Sequence, residues 1–149
     1  MRENIIRLAF GGEAHRFETF VHVLREGLPP HVTVVLRGSA VTGQRWRTGE
    51  PFDVDGPGTS DIDLALLGRG AFALWRADAM YIPRLYSLAL DDAAPDVAPA
   101  LTPLRQALRA IAGRPVSLQA SAHIIQYGRR TILNQPYYTV LRRRAHMRG

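Results

Sequence analysis

Two aspartates, Asp61 and Asp63, stand two residues apart at the head of the apolar run DIDLALL. On a β-strand that spacing turns both side chains to one face, with their α-carbons about 6.6 Å apart. Carboxylates paired in this way are donors for Mg²⁺, which takes one or two of them and fills its shell with substrate phosphates. Two such ions, about 3.5–4 Å apart, stabilise the attacking and leaving oxygens together in phosphoryl or nucleotidyl transfer. The plainer reason for the pattern is an exposed polar face at a sheet edge. Against it, Asp is disfavoured in strands, and two on one face repel unless a cation lies between them. Upstream, Gly38 and Ser39 follow another apolar stretch. A glycine there permits close approach of the backbone to a ligand, and Ser39 offers a hydroxyl and an N–H to phosphate oxygens if a short helix begins at that point. Taken alone, Gly38-Ser39 would be an ordinary turn.

The elements that must position these groups are legible in outline. Phe17, Phe20, Val21, Leu24 and Leu28 recur at helical spacing, which predicts an amphipathic helix over 13–28, stopped by Pro29-Pro30. Residues 31–36, HVTVVL, are short and β-branched, as a buried strand requires. The stretch 44–60 is polar and rich in Gly and Pro, a long loop. Residues 61–67 form the second strand, with Ile62, Leu64 and Leu66 on one face and Asp61, Asp63 and Ala65 on the other. A short helix is expected over 71–79, another from Pro83, and a loop over 91–99. Thr102-Pro103 opens a helix whose Leu104, Leu108 and Ile111 share a face and which Gly113 stops. Residues 115–120 make a third strand, 130–133 a fourth, and 136–144 a closing helix. The order predicts an α/β (α+β) fold, a small mixed β-sheet flanked by helices, with residues 1–149 as one domain.

Composition narrows the chemistry. With no cysteine among 149 residues, disulfides and thiolate metal sites are excluded. No apolar run reaches the roughly 20 residues that cross a bilayer, and the polar N-terminus lacks the apolar core of a signal peptide, so no membrane partner and a cytoplasmic location are expected. The net charge is +6, and all 19 basic residues are arginine. A genome favouring arginine codons accounts for the missing lysine; the net excess still points to a polyanionic partner such as RNA. Arg142, Arg143, Arg144 and Arg148 make the C-terminus strongly basic, as either a nucleic-acid contact or a solvated end. The five histidines show no metal-ligand spacing, and His123 is expected to be a packing residue.

The segments VVLRGSAVTG and SDIDLALLG together resemble the DNA polymerase β-type nucleotidyltransferase superfamily, whose pattern is an apolar strand, Gly-Ser, then a strand carrying Asp-x-Asp among apolar residues. The resemblance spans 34–68, about a quarter of the chain. It implies a small mixed sheet, Mg²⁺ (or Mn²⁺) with an NTP, and transfer of a nucleoside monophosphate to a hydroxyl acceptor with release of pyrophosphate. It further implies that Gly38 and Ser39 hold the triphosphate and that Asp61 and Asp63 are the catalytic metal ligands; Ser60, which opens the second segment, is added to the nucleotide-binding candidates. The acceptor would be a nucleic acid such as tRNA, or a protein.

Two departures qualify this. The insertion GQRWRTGEPFDVDGPGTS is longer than in minimal members and is similar to nucleotidyltransferase-like domains at the ends of bacterial polymorphic toxins, which would imply a toxin delivered into a target cell and an antitoxin partner. In it, Arg45 and Arg47 could grip phosphates and Trp46 could stack a base; the plainer expectation is a surface loop with Trp46 pinned to the core. Second, the superfamily's third carboxylate lies on a later strand, and the matching stretch here, Val116-Ser117-Leu118, has serine in its place. Ser117 is no general base without an activating partner. Asp53, Asp55, Glu50, Asp91 and Asp92 are all conceivable substitutes, and their spacing selects none. The rival readings are a catalytically inactive module of the same fold that binds RNA or a protein, and the small half of a two-component pair with a helical partner.

Overall fold

The computed structural model describes residues 1–143. Its centre is a six-stranded mixed sheet in the order β3-β4-β5-β2-β1-β6. In chain order the strands are β1 (Thr33–Arg37), β2 (Ile62–Leu67), β3 (Met80–Ile82), β4 (Tyr86–Ser87), β5 (Val116–Ser121) and β6 (Tyr137–Leu141). The helices are α1 (Arg2–Ala9), α2 (Ala14–Gly27), α3 (Ser39–Thr42), α4 (Arg69–Phe72), α5 (Thr102–Ala112) and α6 (His123–Ile132).

One face of the sheet carries the core. Strand alternation sends Ile62, Leu64 and Leu66 of β2, Val34 and Leu36 of β1, and Val116 and Leu118 of β5 to this face, where they meet Phe17, Phe20 and Leu24 of α2 and Leu104 and Leu108 of α5. Phe10 locks against Phe17 and Phe20 in edge-to-face contacts, with ring centroids 5.3 and 5.1 Å apart. The opposite face is thinly apolar, built from Val35, Ala65 and Leu67 with Tyr137 packed on them. Its remaining positions are polar, and the functional groups stand there.

β2 runs antiparallel to β1 and parallel to β5, with Asp63 opposite Arg37 on one side and Ser117 on the other. The parallel pairing needs a long crossover, supplied by residues 68–115 through α4, the β3–β4 hairpin and α5. At the end of α5, Gly113 takes the left-handed conformation at φ 68° that ends the helix.

The helices expected at 13–28 and from Thr102, the strands at 31–36, 61–67 and 115–120, and the loops at 44–60 and 91–99 are all present within a residue or two. Four expectations are corrected. Pro83 lies in the turn of the β3–β4 hairpin instead of opening a helix, since the same fixed φ serves a turn equally well. The helix at 71–79 shrinks to the single turn of α4. Residues 130–133 end the helix α6 instead of forming a strand, and 137–141 are strand β6 instead of a helix, held to β1 by backbone pairing. Helix α1 has no counterpart among the expected elements. Arg144 and Arg148 lie outside the described residues.

Candidate active site

β1 ends at Arg37, and the chain turns at Gly38 into the one-turn helix α3. Gly38 adopts φ 83° and ψ −156°, a conformation essentially restricted to glycine. A Cβ there would lie 3.7 Å from Cβ and 3.8 Å from Oδ2 of Asp63, so the turn passes directly over the second aspartate. Ser39 follows, with no hydrogen bond to its hydroxyl among the described residues. The two halves of the sequence pattern, 24 residues apart between Ser39 and Asp63, are therefore adjacent in space.

Two hollows meet at Ser39 and Arg45. The larger, about 820 Å³, is lined by Arg37, Gly38, Ser39, Asp63 and Gln126 and by Arg45, Trp46, Arg47 and Arg129. The smaller, about 520 Å³, is lined by Ser39, Ser60, Asp61, Asp91, Arg105 and Ser117, among others. Asp63, on β2, and Asp61, just before it, thus open on neighbouring hollows. Trp46 is not pinned to the core: it is 64% exposed, at the rim of the larger hollow. The loop that carries it is fixed elsewhere, by Asp53. Both Asp53 carboxylate oxygens accept from the buried Arg114 guanidinium, at 2.8 and 3.1 Å, and from the N–H groups of Ser60 and Gly58. Desolvation raises the Asp53 carboxyl, but the Arg114 hydrogen bonds and these backbone donors outweigh it and hold the group below its ordinary 3.8. Ser60 serves the same joint, its hydroxyl accepting from the Asp53 N–H at 2.8 Å, although the residue also lines the smaller hollow.

The carboxyl of Asp61 is raised above 3.8, first by desolvation and then by the charges of Asp63 and Asp91, with Arg45 opposing. This is an acid made uncomfortable by its neighbours, as a group awaiting a cation is. Asp63 has a different circumstance. Oδ2 lies 3.2 Å from Nε of Arg37 without a linear hydrogen bond, while Oδ1 is buried and makes no hydrogen bond at all. Arg37 itself is 8% exposed; Nη2 donates to Gln119 Oε1 at 2.6 Å, the guanidinium lies 5.5 Å from the Tyr86 ring centroid, and Nη1 has no partner. Such orphaned polar atoms are costly in a buried place, and here they belong to two residues that line the hollow. Oxygen donors from Asp61 and the unengaged Oδ1 of Asp63 fit the chemistry of Mg²⁺, with Asp63 having to exchange Arg37 for the cation. Among the described residues no three His, Asp or Glu side chains converge to hold a metal by themselves. A cation here would need substrate oxygens to complete its shell.

Ser117 stands beside Asp63 in the parallel register, at the position where the resemblance implies a third acid. Of the conceivable substitutes, Asp53 is held by Arg114, Asp55 and Glu50 by Arg45, and Asp92 by Arg105 and Arg109. Asp91 alone has no guanidinium partner among the described residues. His123 is exposed at the start of α6, not a packing residue.

Sequence reasoning missed Arg37, Gln119, Gln126 and Arg129. Arg37 carries a signal in hindsight: a charge as the last residue of an otherwise apolar strand, directly before Gly38, has to be pointed at something. No protein-family model, no curated protein and no solved structure matches the chain. No helix among the described residues is long and apolar enough to cross a membrane.

Proposed function

We propose that the protein is a nucleotidyltransferase, moving a nucleoside monophosphate from an NTP to a hydroxyl group on a nucleic acid or protein acceptor. The observation that carries this reading is the close passage of the Gly38–Ser39 turn over Asp63, beside a hollow ringed by four arginines and an exposed tryptophan. A triphosphate is the ligand that such a set suits: guanidinium groups bind its oxygens in pairs, a free hydroxyl and open backbone accept close approach, and Trp46 offers a stacking surface for a base. Asp61 and Asp63 would hold divalent cation, which when bound neutralises phosphate charge and activates the attacking oxygen. The chain's own residues do the rest: Ser39 orients phosphate, Arg45 spans the two hollows, and the glycine turn excludes any side chain from the space above Asp63.

Incubating the protein with each labelled NTP, Mg²⁺ or Mn²⁺, and total cellular RNA or protein tests this. Transfer of label to an acceptor, lost in Asp61→Asn and Asp63→Asn, is expected; no transfer with any NTP would overturn it. A second reading, a module of the same architecture that binds RNA or a protein partner without turnover, has its own support in the Arg37–Asp63 contact and in serine at 117. In that case the protein binds RNA with strong salt dependence and transfers nothing. The toxin role, with an antitoxin partner, is an extension of the first reading that rests on the 43–60 insertion alone.

A further inference from the structure

We propose that Asp91 supplies the carboxylate that takes the proton of the acceptor hydroxyl, reached across one strand from the place where Ser117 stands. The assignment rests on the nucleotidyltransferase reading above and begins with the backbone. Leu90 and Leu118 form an antiparallel bridge and exchange both hydrogen bonds, Leu90 N–H to Leu118 O at 2.7 Å and Leu118 N–H to Leu90 O at 3.0 Å. Leu118 is in turn the register partner of Leu64. Three leucines therefore lie abreast on three neighbouring chains, and all three are in the core. One residue along each chain the side chains change face. On β2 that residue is Asp63, on β5 it is Ser117, and on the chain beyond it is Asp91. The acid absent from the middle position is present in the next one.

The surroundings agree with this placement. Asp91, Asp61 and Ser117 line the same hollow of about 520 Å³. Asp91 is fixed by one oxygen only: Oδ1 accepts from the N–H groups of Ala93 at 2.9 Å and Ala94 at 3.0 Å, while Oδ2 makes no hydrogen bond among the described residues. An independent sign of a ligand lies between the acids. Ser117 is 7% exposed and lines the hollow, yet its hydroxyl has no hydrogen bond among the described residues. The residue is nearly buried while its hydroxyl stays open to the hollow, and an acceptor hydroxyl there would give it a partner. Asp63 and Asp91 stand two strand spacings apart, about 10 Å at the backbone, too far to share one ion. That separation keeps Asp91 off any ion held by Asp63, and its free Oδ2 is left for the acceptor.

The acceptor oxygen forms a bond to the α-phosphorus of the NTP, and the bond from that phosphorus to the β-bridging oxygen breaks. Pyrophosphate leaves with the bonding pair, and the hydroxyl proton passes to Asp91 Oδ2.

The test compares wild type, Asp91→Asn, Asp61→Asn and the double variant Asp91→Asn with Ser117→Asp, by transfer rate and by calorimetric binding of Mn²⁺ and of a non-hydrolysable NTP analogue. Asn keeps the Oδ1 cap, so the fold is retained. Asp91→Asn should lower kcat about 100-fold or more, the ordinary size of a lost general base, with both binding constants unchanged within about threefold. Restoring a carboxylate one chain over, through Ser117→Asp, should recover at least about tenfold of that loss. Wild-type kcat in Asp91→Asn, while Asp61→Asn is dead, would overturn the role of Asp91 and leave the nucleotidyltransferase reading intact. Loss of Mn²⁺ or analogue binding in Asp91→Asn would also overturn it, in favour of a ligand-holding role. Absence of transfer by the wild type with every NTP would remove both.

Discussion

At the scale of single residues, the proposed reading makes the site a contest for Asp63 between Arg37, which lies against it, and a divalent cation. Arg37 is buried; desolvation lowers its guanidinium, but the charge of Asp63 and the contact with Tyr86 outweigh it and hold the group above its ordinary value. Removing it as Arg37→Met frees Asp63 and leaves the partly buried carboxylate without a counter-charge. The expected cost is about 2 kcal/mol of stability, below the 3–5 kcal/mol of a fully buried pair because Asp63 retains access to water. The same variant should bind Mn²⁺ more tightly, the competitor being gone. Urea unfolding and calorimetry check the two halves, and unchanged Mn²⁺ affinity would contradict the contest. Gly38 gives a separate prediction. Any side chain there must adopt φ 83° with ψ −156°, so Gly38→Ala should cost about 1–3 kcal/mol from backbone strain, not from a clash, because the nearest atom is at ordinary contact distance. Thermal unfolding reads it directly. The aspartate pair and the glycine-serine turn were legible because alternation in a strand is a strict rule. Arg37 was not, because sequence does not say which residue faces Asp63 across the sheet; register does.

At the scale of elements, the loop 43–60 carries Arg45, Trp46 and Arg47 to the rim of the hollow and is tied down by the Asp53–Arg114 joint. The folded state keeps the Asp53 carboxyl below 3.8, so the joint contributes its full stability above that pH and loses it as pH falls through the depressed value. Asp53→Asn should therefore cost about 1.5–3 kcal/mol at pH 7, the usual worth of hydrogen bonds to a charged group, and the difference from wild type should shrink as pH drops below 3.8. Denaturant titrations at neutral and acidic pH measure it; a difference that persists undiminished in acid would contradict the joint. Elements misread from sequence share a cause. Tyr137-Tyr138-Thr139-Val140-Leu141 has the aromatic and β-branched content of a strand, yet Pro136 before it reads equally as a helix start. Its strand identity comes from pairing with β1, a long-range fact. Pro83 was ambiguous in the same way. Helix α1 was hidden by its length of 8 residues, too short for a periodic signal to stand out.

At the scale of the whole molecule, a single sheet divides its labour between two faces, one buried under α2 and α5, the other bearing Arg37, Asp63, Ser117 and Gln119. The net charge of +6 gives this body a bias toward polyanions. An RNA acceptor, if used, should be bound with an affinity that falls steeply between about 50 and 200 mM salt, by an amount set by the number of phosphates engaged. Filter binding across a salt series checks it, and salt-independent binding would exclude a phosphate-led contact. The mixed sheet flanked by helices was legible as a class from element order alone, whereas the crossover that sets Leu90 beside Leu118, and so brings Asp91 to the site, was not.

The central claim is that Asp61 and Asp63 together gather divalent cation beneath a triphosphate held by Gly38 and Ser39. A crystal structure with Mn²⁺ and a non-hydrolysable NTP analogue, read by the anomalous signal of manganese, tests it most directly. The account predicts a manganese within about 2.2 Å of oxygens from both aspartates, Arg37 released from Asp63, and phosphate oxygens against Ser39. Manganese and nucleotide bound elsewhere, with Arg37 still resting on Asp63, would contradict it.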